Sequence, residues 1–387
     1  MLRKIFLITL VLLILLDGGS NQTAFSMGNG GQLPAGVSEN NANEPVPEEM
    51  PEVQMNRQIN TDAGIQGDES PKIDEIEITI SFAGDCTIGT DVSFPRINSF
   101  PYRLEKQNND NSYFFKGVKS IFGADDLTLV NLETTLTASN KMARKKFRFK
   151  GDPAYVSILK EGSIEMVNIS NNHIYDYLHK GYEDTLATLS NAGIQYSGEG
   201  NTAYYTAKGI RIASIGYTGW STSIKNRLLG DIKNVRQNAD IVVVSFHWGA
   251  ERSYYPNDIQ IELGRSSIDA GADIVVGHHP HVIQGIEYYK GRYIVYSLGN
   301  FCFGGNRNPS DKDTFIFQGG FQFKDKKLET NWGGVIPCRI SSVKNINDYQ
   351  PTILEGKEKD KVLKRIFEYG KNLKYGIKDG NNLFKYP

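Results

Sequence analysis

Five of the six histidines in this chain lie at or just beyond the ends of apolar runs. They are His173, His247, His278, His279 and His281. Two further apolar runs end in carboxylic acids, at Asp85 and Glu133. Proteins can bind divalent transition metals without a local sequence motif by bringing together imidazole and carboxylate groups from the ends of separate strands. The positions of these residues therefore predict a metal site that distant parts of the chain build together.

The sequence GHHPH at 277–281 is the sharpest of these signals. In an extended segment, the imidazoles of His279 and His281 would lie on one face, because strand side chains repeat every second residue. Pro280 would stiffen the backbone between them. We therefore predict that His279 and His281 bind the metal, and that His278 faces the other way in a supporting or structural role.

A cluster of polar residues follows the apolar run that ends near residue 170. Asn172 and His173 both carry groups that can bind a metal, and Asp176 can orient the imidazole through a hydrogen bond. The alternative is an asparagine-rich turn held by bonds between side chains and backbone, although such a turn would need no histidine. The other candidate ligands are Asp85, Glu133, His247, His279 and His281.

Other residues predict contacts with a substrate. Glu251 follows His247 closely, and Asn300 follows another apolar run, so both are candidates. The segment 141–150, KMARKKFRFK, is strongly basic in a chain whose formal net charge is −1. As a strand it would bury Phe147 and Phe149 and present its cations to a polycarboxylate or phosphate-rich chain. The alternative is a solvated basic loop. The predicted polymer contacts are Arg144, Lys145 and Lys146.

Motifs of other hydrolase classes are absent from the sequence. There is no G-x-S-x-G elbow, no phosphate-binding P-loop and no HExxH helix. A Cys/His nucleophile pair would leave the other histidines without a role. The three cysteines, Cys86, Cys302 and Cys338, have no metal-type spacing and predict no disulfide scaffold.

The segments that must position these residues alternate between strand-like and helix-like patterns. Apolar runs typical of strands occur at 77–84, 127–132, 165–170, 209–217, 240–247, 272–277 and 293–298. Helix-like segments occur at 113–123, 153–162, 183–193 and 258–271. This alternation predicts a layered α/β domain with helices over its sheets and ligand sites beyond the carboxyl ends of the strands. After about residue 304 the pattern indicates antiparallel strands, and 357–373 predicts a helix that packs on the same domain.

The N-terminal residues predict export. Arg3 and Lys4 precede an apolar run over 5–16, which is short for a membrane span but suits a signal sequence. We predict a signal peptide or short anchor over 1–26 and a flexible acidic spacer over 27–75, because the spacer lacks core-forming residues. The protein would then be extracytoplasmic, either secreted or membrane-anchored at the cell surface. Its near-neutral charge favours no nucleic-acid partner.

The motifs FAGDCTIG, VNLETTLT, NISNNHIYDY, VVSFHWGAE, GADIVVGHHPHVIQG and VYSLGNFCF together resemble the CapA family of bacterial poly-γ-glutamate capsule synthesis proteins. The resemblance covers about residues 78–305, with the motifs in the family's order. It implies a four-layer αββα sandwich of the metallophosphoesterase type, in which metals lie at the strand ends. We place this domain at 76–330, with 331–387 adding strands and a helix that pack on it.

Carried over position by position, the resemblance implies roles for individual residues. Asp85 and Glu133 stand at positions of metal-binding aspartates in metallophosphoesterases, and Asn172 stands at the position of a ligand. His173 would be the acid or the stabiliser of an oxyanion. Where metallophosphoesterases have Asp-x-His, this chain has Asp85-Cys86-Thr87, so one usual ligand is missing. The cofactor is expected to be one or two divalent ions of the Mn, Fe or Zn type.

The residues and the resemblance together predict a cell-surface protein of poly-γ-glutamate capsule synthesis or export. A metal-dependent hydrolase-like site would serve it, with Asp176 orienting His173. The expected partners are an anionic polymer or another envelope substrate, and membrane components of the capsule synthase. Two alternatives remain open. One is a non-catalytic accessory protein that binds the polymer, and the other is a metallophosphoesterase that acts on another envelope substrate.

Overall fold

The structure, a computed structural model, describes residues 75–380. These residues form two large β-sheets and one small one. The larger sheet has the spatial order β17 (Thr352–Ile353), β16 (Lys327–Arg339), β15 (Asp313–Lys324), β1 (Glu75–Thr87), β3 (Leu127–Leu132), β6 (Met166–Asn168) and β7 (Gln195–Ser197), with β14 (Asn300–Phe303) also paired to β1. The six-stranded sheet has the order β12 (Ile286–Tyr289), β13 (Arg292–Val295), β11 (Ile274–His278), β10 (Ile241–Trp248), β9 (Ile210–Gly219) and β8 (Thr202–Ala207). The small sheet contains β2 (Thr90–Asp91), β5 (Phe149–Gly151) and β4 (Thr135–Leu136).

The two large sheets pack face to face through side chains that alternate along their strands. On β1, Ile78, Ile80 and Phe82 are fully buried in one core cluster. The same cluster contains Ile212 of β9 and Val243 of β10 from the six-stranded sheet. A strand directs every second side chain to the same face, so this spacing places one row of β1 between the two sheets.

Helices cover the outer face of each sheet. They are α1 (Phe100–Lys106), α2 (Lys119–Phe122), α3 (Val156–Glu161), α4 (Leu178–Ala192), α5 (Lys225–Arg236) and α6 (Asp258–Asp269). The last helix, α7 (Gly356–Gly370), packs instead against the cluster between the sheets. Phe100 of α1 and Leu189 of α4 pack in one cluster with Val130 of β3. Leu228 of α5 packs in another cluster with Val242 of β10. The order helix, sheet, sheet, helix confirms the predicted four-layer αββα sandwich.

The strands that carry the predicted site residues are parallel within each sheet. β1, β3 and β6 are parallel neighbours in the larger sheet. β9, β10 and β11 are parallel neighbours in the six-stranded sheet. Parallel neighbours end at the same edge of their sheet, and ligand sites of α/β folds lie beyond that edge. This arrangement positions the candidate site.

Most of the predicted elements have counterparts in the structure, although some elements of the structure were not predicted. The strand predicted over 127–132 is β3, and β15 and β16 are antiparallel as expected. The segment 113–123 contains only the four-residue helix α2 and the end of a 3₁₀ turn, so the long helix predicted there was wrong. Helices α1 and α5 were not predicted.

The chain after residue 330 shares the sheets and core of the preceding part. β16 runs across that position, and Val362 and Ile366 of α7 are fully buried in the cluster between the sheets. The segments predicted over 1–26 and 27–75 lie outside the described residues, apart from Glu75 at the start of β1. Within 75–380, none of the helices has the length and apolar character needed to cross a bilayer.

Two single glycine-to-alanine variants, one crowded and one open, test the close contact between β1 and the start of β14. A Cβ on Gly84 would lie 2.0 Å from the carbonyl oxygen of Gly299, whereas a Cβ on Gly230 in α5 meets nothing within 4 Å. We expect Gly84→Ala to lower the free energy of unfolding by about 2 kcal/mol or more, since rigid backbone must shift. Gly230→Ala should raise it by about 0.5–1 kcal/mol. Urea titrations that give both variants the same stability would contradict this packing.

Candidate metal and catalytic site

The predicted ligands converge where strands of both large sheets end. Asp85 lies near the end of β1, and Glu133 directly follows β3. His247 lies near the end of β10, and the turn after β11 carries His279 and His281. The turn after β6 carries Asn172 and His173, which completes the set.

A network of buried asparagines holds Asp85. The Asn131 amide donates to Asp85 Oδ1 at 2.8 Å, and Asn131 Oδ1 accepts from Asn168 at 2.9 Å and from Asn171 at 3.3 Å. All of these side chains are buried. Asn131 and Asn168 were not predicted. The signal for them is an asparagine within each of two otherwise apolar strands, because a buried amide requires hydrogen-bond partners.

Glu133 is a fully buried carboxylate whose two oxygens accept no hydrogen bond. Its Oε1 lies 3.8 Å from His173 Nε2, 3.7 Å from His247 Nε2 and 3.8 Å from His281 Nε2. Its backbone is fixed, because its N–H donates to the Cys86 carbonyl and its own carbonyl accepts from Thr87 Oγ1. An unpaired buried carboxylate is costly, so its surroundings must compensate the charge.

The GHHPH segment is not extended, which corrects the predicted geometry. His279 has φ 95° and His281 has φ 57°, both in the left-handed region. The turn is held because the N–H of His279 donates to Asp85 Oδ2 at 3.3 Å and the Pro280 carbonyl accepts from the N–H of Arg252 at 2.8 Å. The imidazoles of His279 and His281 still share the site, with ring centroids 5.7 Å apart. Fully buried His278 lies outside this pair, with Nδ1 3.6 Å from Asp85 Oδ1.

Three side chains have the geometry of a metal-binding cluster. One donor atom each from Glu133, His279 and His281 lies within 4.8 Å of the other two. In a tetrahedral site with bonds of about 2.1 Å, donors lie about 3.4 Å apart. Glu133 Oε1, Glu133 Oε2 and His279 Nδ1 have no hydrogen-bond partner despite their burial. These residues therefore fit a divalent ion, which would satisfy donor atoms that the protein leaves unpaired.

Asp85, Asn172 and His247 surround this cluster, but their polar atoms have protein partners. Asp85 accepts from Asn131 and interacts with His281 Nδ1 at 3.2 Å. The oxygen of Asn172 lies 2.8 Å from His247 Nε2. The structure thus brings all six predicted ligands together. Three of them have close donor geometry, and two of these three, Glu133 and His279, also carry unpaired donor atoms.

The ionisation of the site follows from burial and from its carboxylates. Burial opposes the charged form of His281, but the negative charges of Glu133 and Asp85 outweigh it and raise the pKa of His281 to about 9. Burial raises the pKa of Glu133 well above its usual value. Burial lowers the pKa of His279 to about 4 and that of His247 well below 6.5. The imidazoles of His279 and His247 are therefore neutral at pH 7, the form that binds a metal.

His173 is held in one orientation beside the cluster. Its Nδ1 lies 2.7 Å from Asp176 Oδ2, and its ring stacks on Phe149 with centroids 4.1 Å apart. Fully buried Asp176 also accepts from the N–H of Phe149 at 2.5 Å and forms an ion pair with Lys145. The remaining nitrogen, Nε2, faces Glu133. An imidazole oriented by a carboxylate in this way can move a proton at Nε2.

The predicted substrate residues occupy different positions around the site. A cleft of about 660 Å³ is lined by Glu251 and Asn300 together with His173 and His281. Asn300 Oδ1 lies 2.9 Å from His281 Nδ1, so this amide also supports an imidazole.

The basic segment 141–150 differs from the predicted strand. β5 begins only at Phe149, and Phe147 is 42% exposed, so the prediction that both aromatics are buried was wrong. Lys145 binds Asp176 and donates to the carbonyl of Asn172 at 2.7 Å. Lys145 therefore supports the turn that carries Asn172 and His173, while Arg144 and Lys146 stay exposed.

Trp220 is a neighbour of the cluster that was not predicted. It follows β9, is 45% exposed, and its ring meets the imidazole of His279 edge-on with centroids 4.7 Å apart. A second edge-on contact, at 5.8 Å, joins it to His247. Trp220 therefore covers these imidazoles on one side.

Comparisons with known proteins identify the family. The family model described as bacterial capsule synthesis protein PGA_cap matches residues 79–305, and the chain belongs to this family. The chain is 34% identical over 263 residues to the PGA biosynthesis protein CapA of Bacillus subtilis (strain 168), covering 61% of this chain and 66% of the relative. It is 31% identical over 256 residues to the capsule biosynthesis protein CapA of Bacillus anthracis, covering 59% and 60%. The chain thus spans less than two thirds of the length of these relatives.

A comparison with solved structures gives more distant similarity. A 5′-nucleotidase from Candida albicans SC5314 aligns with a TM-score of 0.36 at 12% identity, covering 77% of this chain and 58% of the nucleotidase. A hypothetical protein from Thermus thermophilus aligns with a TM-score of 0.40 at 15% identity, covering 67% of this chain and 99% of that protein.

Proposed function

We propose that this protein acts at the cell surface in the synthesis or export of a poly-γ-glutamate capsule, through a metal-dependent hydrolase-like site. Membership of the capsule synthesis family and the names of its Bacillus relatives support the pathway. The observation that carries the chemistry is the set of buried, unpaired donor atoms on Glu133 and His279 beside His281. The apolar run near the N-terminus supports the location.

Glu133, His279 and His281 would hold one divalent ion, with Asp85, Asn172 and His247 as the adjoining donors. When bound, such an ion lowers the pKa of a water molecule toward neutrality and polarises an ester, amide or phosphoester. Without the ion, a proton held among His281, Glu133 and Asp85 would compensate part of their negative charge. We therefore expect a cation and this proton to compete for the same site.

The protein's own residues would position the substrate and transfer the proton. His173, held by Asp176 and by stacking on Phe149, would donate a proton from Nε2 or stabilise a developing oxyanion. Asn300 and Glu251 would contact the substrate from the wall of the cleft. Trp220 would exclude water from the imidazoles on its side.

A non-catalytic accessory role is the second candidate, and Thr87 favours it. This residue stands where the metallophosphoesterase motif has a histidine, and its hydroxyl is used to hold the Glu133 carbonyl at 3.1 Å. The chain would then bind the polymer for the membrane components of the synthase. Incubation with purified poly-γ-glutamate separates the two functions. With Mn²⁺, Zn²⁺ or Fe²⁺ the polymer should shorten on gel filtration, and an unchanged chain length with all three ions would contradict hydrolysis of this polymer.

The exposed basic residues of segment 141–150 give a further prediction. Arg144→Glu with Lys146→Glu should weaken binding of poly-γ-glutamate several-fold at low salt, and less at moderate salt, because exposed charges are screened. Lys145 is left unchanged, since a carboxylate there would oppose Asp176. Lys160→Glu with Lys233→Glu, at exposed positions on helices α3 and α5, is the matched control. Equal affinities of both double variants would leave the segment as ordinary surface charge.

A further inference from the structure

Two arginines in the cleft have no carboxylate partner. Arg252 and Arg307 both line it, together with the candidate proton donor His173 and the candidate ligand His281. Neither forms an ion pair with any residue in 75–380, and Asp311, which also lines the cleft, is paired with Arg365. A guanidinium presents a rigid fork of donors that matches a carboxylate. Both groups therefore remain available to an anionic ligand.

The backbone that carries Arg252 is strained and firmly held. Arg252 has φ 61°, a left-handed conformation that glycine would adopt at lower cost. Its N–H donates to the Pro280 carbonyl at 2.8 Å, and the neighbouring Ser253 carbonyl accepts from fully buried Gln284 at 2.8 Å. These hydrogen bonds fix the backbone of Arg252 next to the GHHPH turn, so its side chain starts from a fixed point at the cleft.

Arg307 extends from a loop that is anchored in the same way. The loop follows β14, which carries Asn300. Buried Asn347 donates to the carbonyls of Phe303 at 2.9 Å and Asn306 at 3.1 Å. Arg307 itself donates to the backbone carbonyl of Ile97 at 3.3 Å, so its guanidinium is oriented without being neutralised.

We propose that Arg252 and Arg307 bind carboxylates of a γ-linked glutamate chain and so hold the chain in register with the metal and His173. This inference rests on the proposed function, because it names the residues that would select that substrate. A γ-glutamyl chain carries one carboxylate per repeat, so two arginines can each take one. Glu251 also lines the cleft and disfavours ligands of higher charge density, such as polyphosphate.

The test is binding of a γ-linked glutamate oligomer to the full protein at low ionic strength. Arg252→Gln with Arg307→Gln should weaken binding about 30- to 100-fold, since each lost guanidinium–carboxylate pair corresponds to about tenfold. The affinity of the Arg252→Lys, Arg307→Lys variant should lie between that of the glutamine variant and that of the wild type. The positive charges remain in this variant, but the forked donors of the guanidinium groups are lost. Arg211→Gln, an exposed arginine stacked on Tyr204 on β8, is the matched control and should bind like the wild type.

The outcomes separate this inference from the function on which it rests. Wild-type protein that does not bind the oligomer would contradict both the inference and the proposed substrate. Wild-type binding that both arginine variants retain in full would overturn the inference alone. Tighter Arg-dependent binding of polyphosphate than of the glutamate oligomer would overturn the choice of carboxylate. Thermal stabilisation of each variant by Mn²⁺, equal to that of the wild type, would establish that the site is folded.

Discussion

The His279→Ala protein is expected to lose its response to divalent metal. Removal of one ligand should weaken the affinity by about 100-fold or more, because even supporting residues around metals contribute 10- to 100-fold. At an ion concentration of about 100 times the wild-type dissociation constant, binding stabilises the wild type by about 2.7 kcal/mol and the variant by only about 0.4 kcal/mol. Thermal scans with and without Mn²⁺, Zn²⁺ or Fe²⁺ measure this difference, and elemental analysis measures the bound metal.

His279 suits this test better than His281. His279 Nδ1 has no partner and its imidazole is neutral, so its removal leaves no charge uncompensated. Loss of His281 would instead leave Asp85 and Glu133 without the positive charge between them, which destabilises the metal-free protein as well. His179→Ala, an exposed histidine on α4, is the control and should respond like the wild type. A wild type that contains no metal and gains no stability from any of the three ions would exclude the proposed metal site.

The His173→Ala protein is expected to keep its metal and lose turnover. General acid–base groups contribute about 10²- to 10⁴-fold, and a loss in kcat of this size is predicted on whichever substrate the wild type hydrolyses. Asp176→Asn should lower kcat by a smaller factor, because the imidazole stays in place but loses the carboxylate that orients it. The assays are rates on γ-glutamyl, phosphodiester and phosphomonoester substrates, with metal content determined on the same samples.

Tyr175→Phe is the matched control for the same turn. The Tyr175 hydroxyl donates to Glu199 at the surface, away from the metal cluster, so this variant should be as active as the wild type. Equal rates for wild type and His173→Ala on a substrate that the wild type hydrolyses would remove His173 from the mechanism. An inert wild type on all three substrate classes would favour the accessory role.

The sequence predicted that the site residues lie together, because each of them lies at or just beyond the end of a buried strand. The run LTLVNL is β3, and the glutamate after it lies at the centre of the candidate site. The same reasoning placed His247, His279 and His281 at strand ends. This inference needs only the rule that parallel strands of a sheet end at one edge. The metal-site prediction required no knowledge of the residues between these strands.

The conformation of the His279–His281 turn could not be predicted in the same way. Its positive φ angles are stabilised by hydrogen bonds with Asp85 and Arg252, which lie far away in the sequence or in another loop. Alternation within an extended segment was therefore the wrong basis for a prediction about which way the imidazoles face. The role of Lys145 was hidden for the same reason, because its partner Asp176 lies in a separate turn further along the chain.

The missed helices have local causes. α1 has only seven residues, and α5 contains Gly230 and a high share of polar residues. Short helices receive little stability from propensity and depend on packing, in this case through Phe100 and Leu228. Such packing is visible only once the sheets are in place.

Complementation in a capsule-forming host tests the central claim most directly. A strain that lacks this protein would receive either the wild type or the His173→Ala, His281→Ala protein, at equal protein levels. The proposed hydrolase-like function predicts that the wild type restores surface poly-γ-glutamate and that the double variant does not, although it reaches the same location. The strain with the double variant could instead make a capsule of normal amount and chain length. That result would contradict the claim that the site around Glu133, His173 and His281 performs chemistry on the polymer.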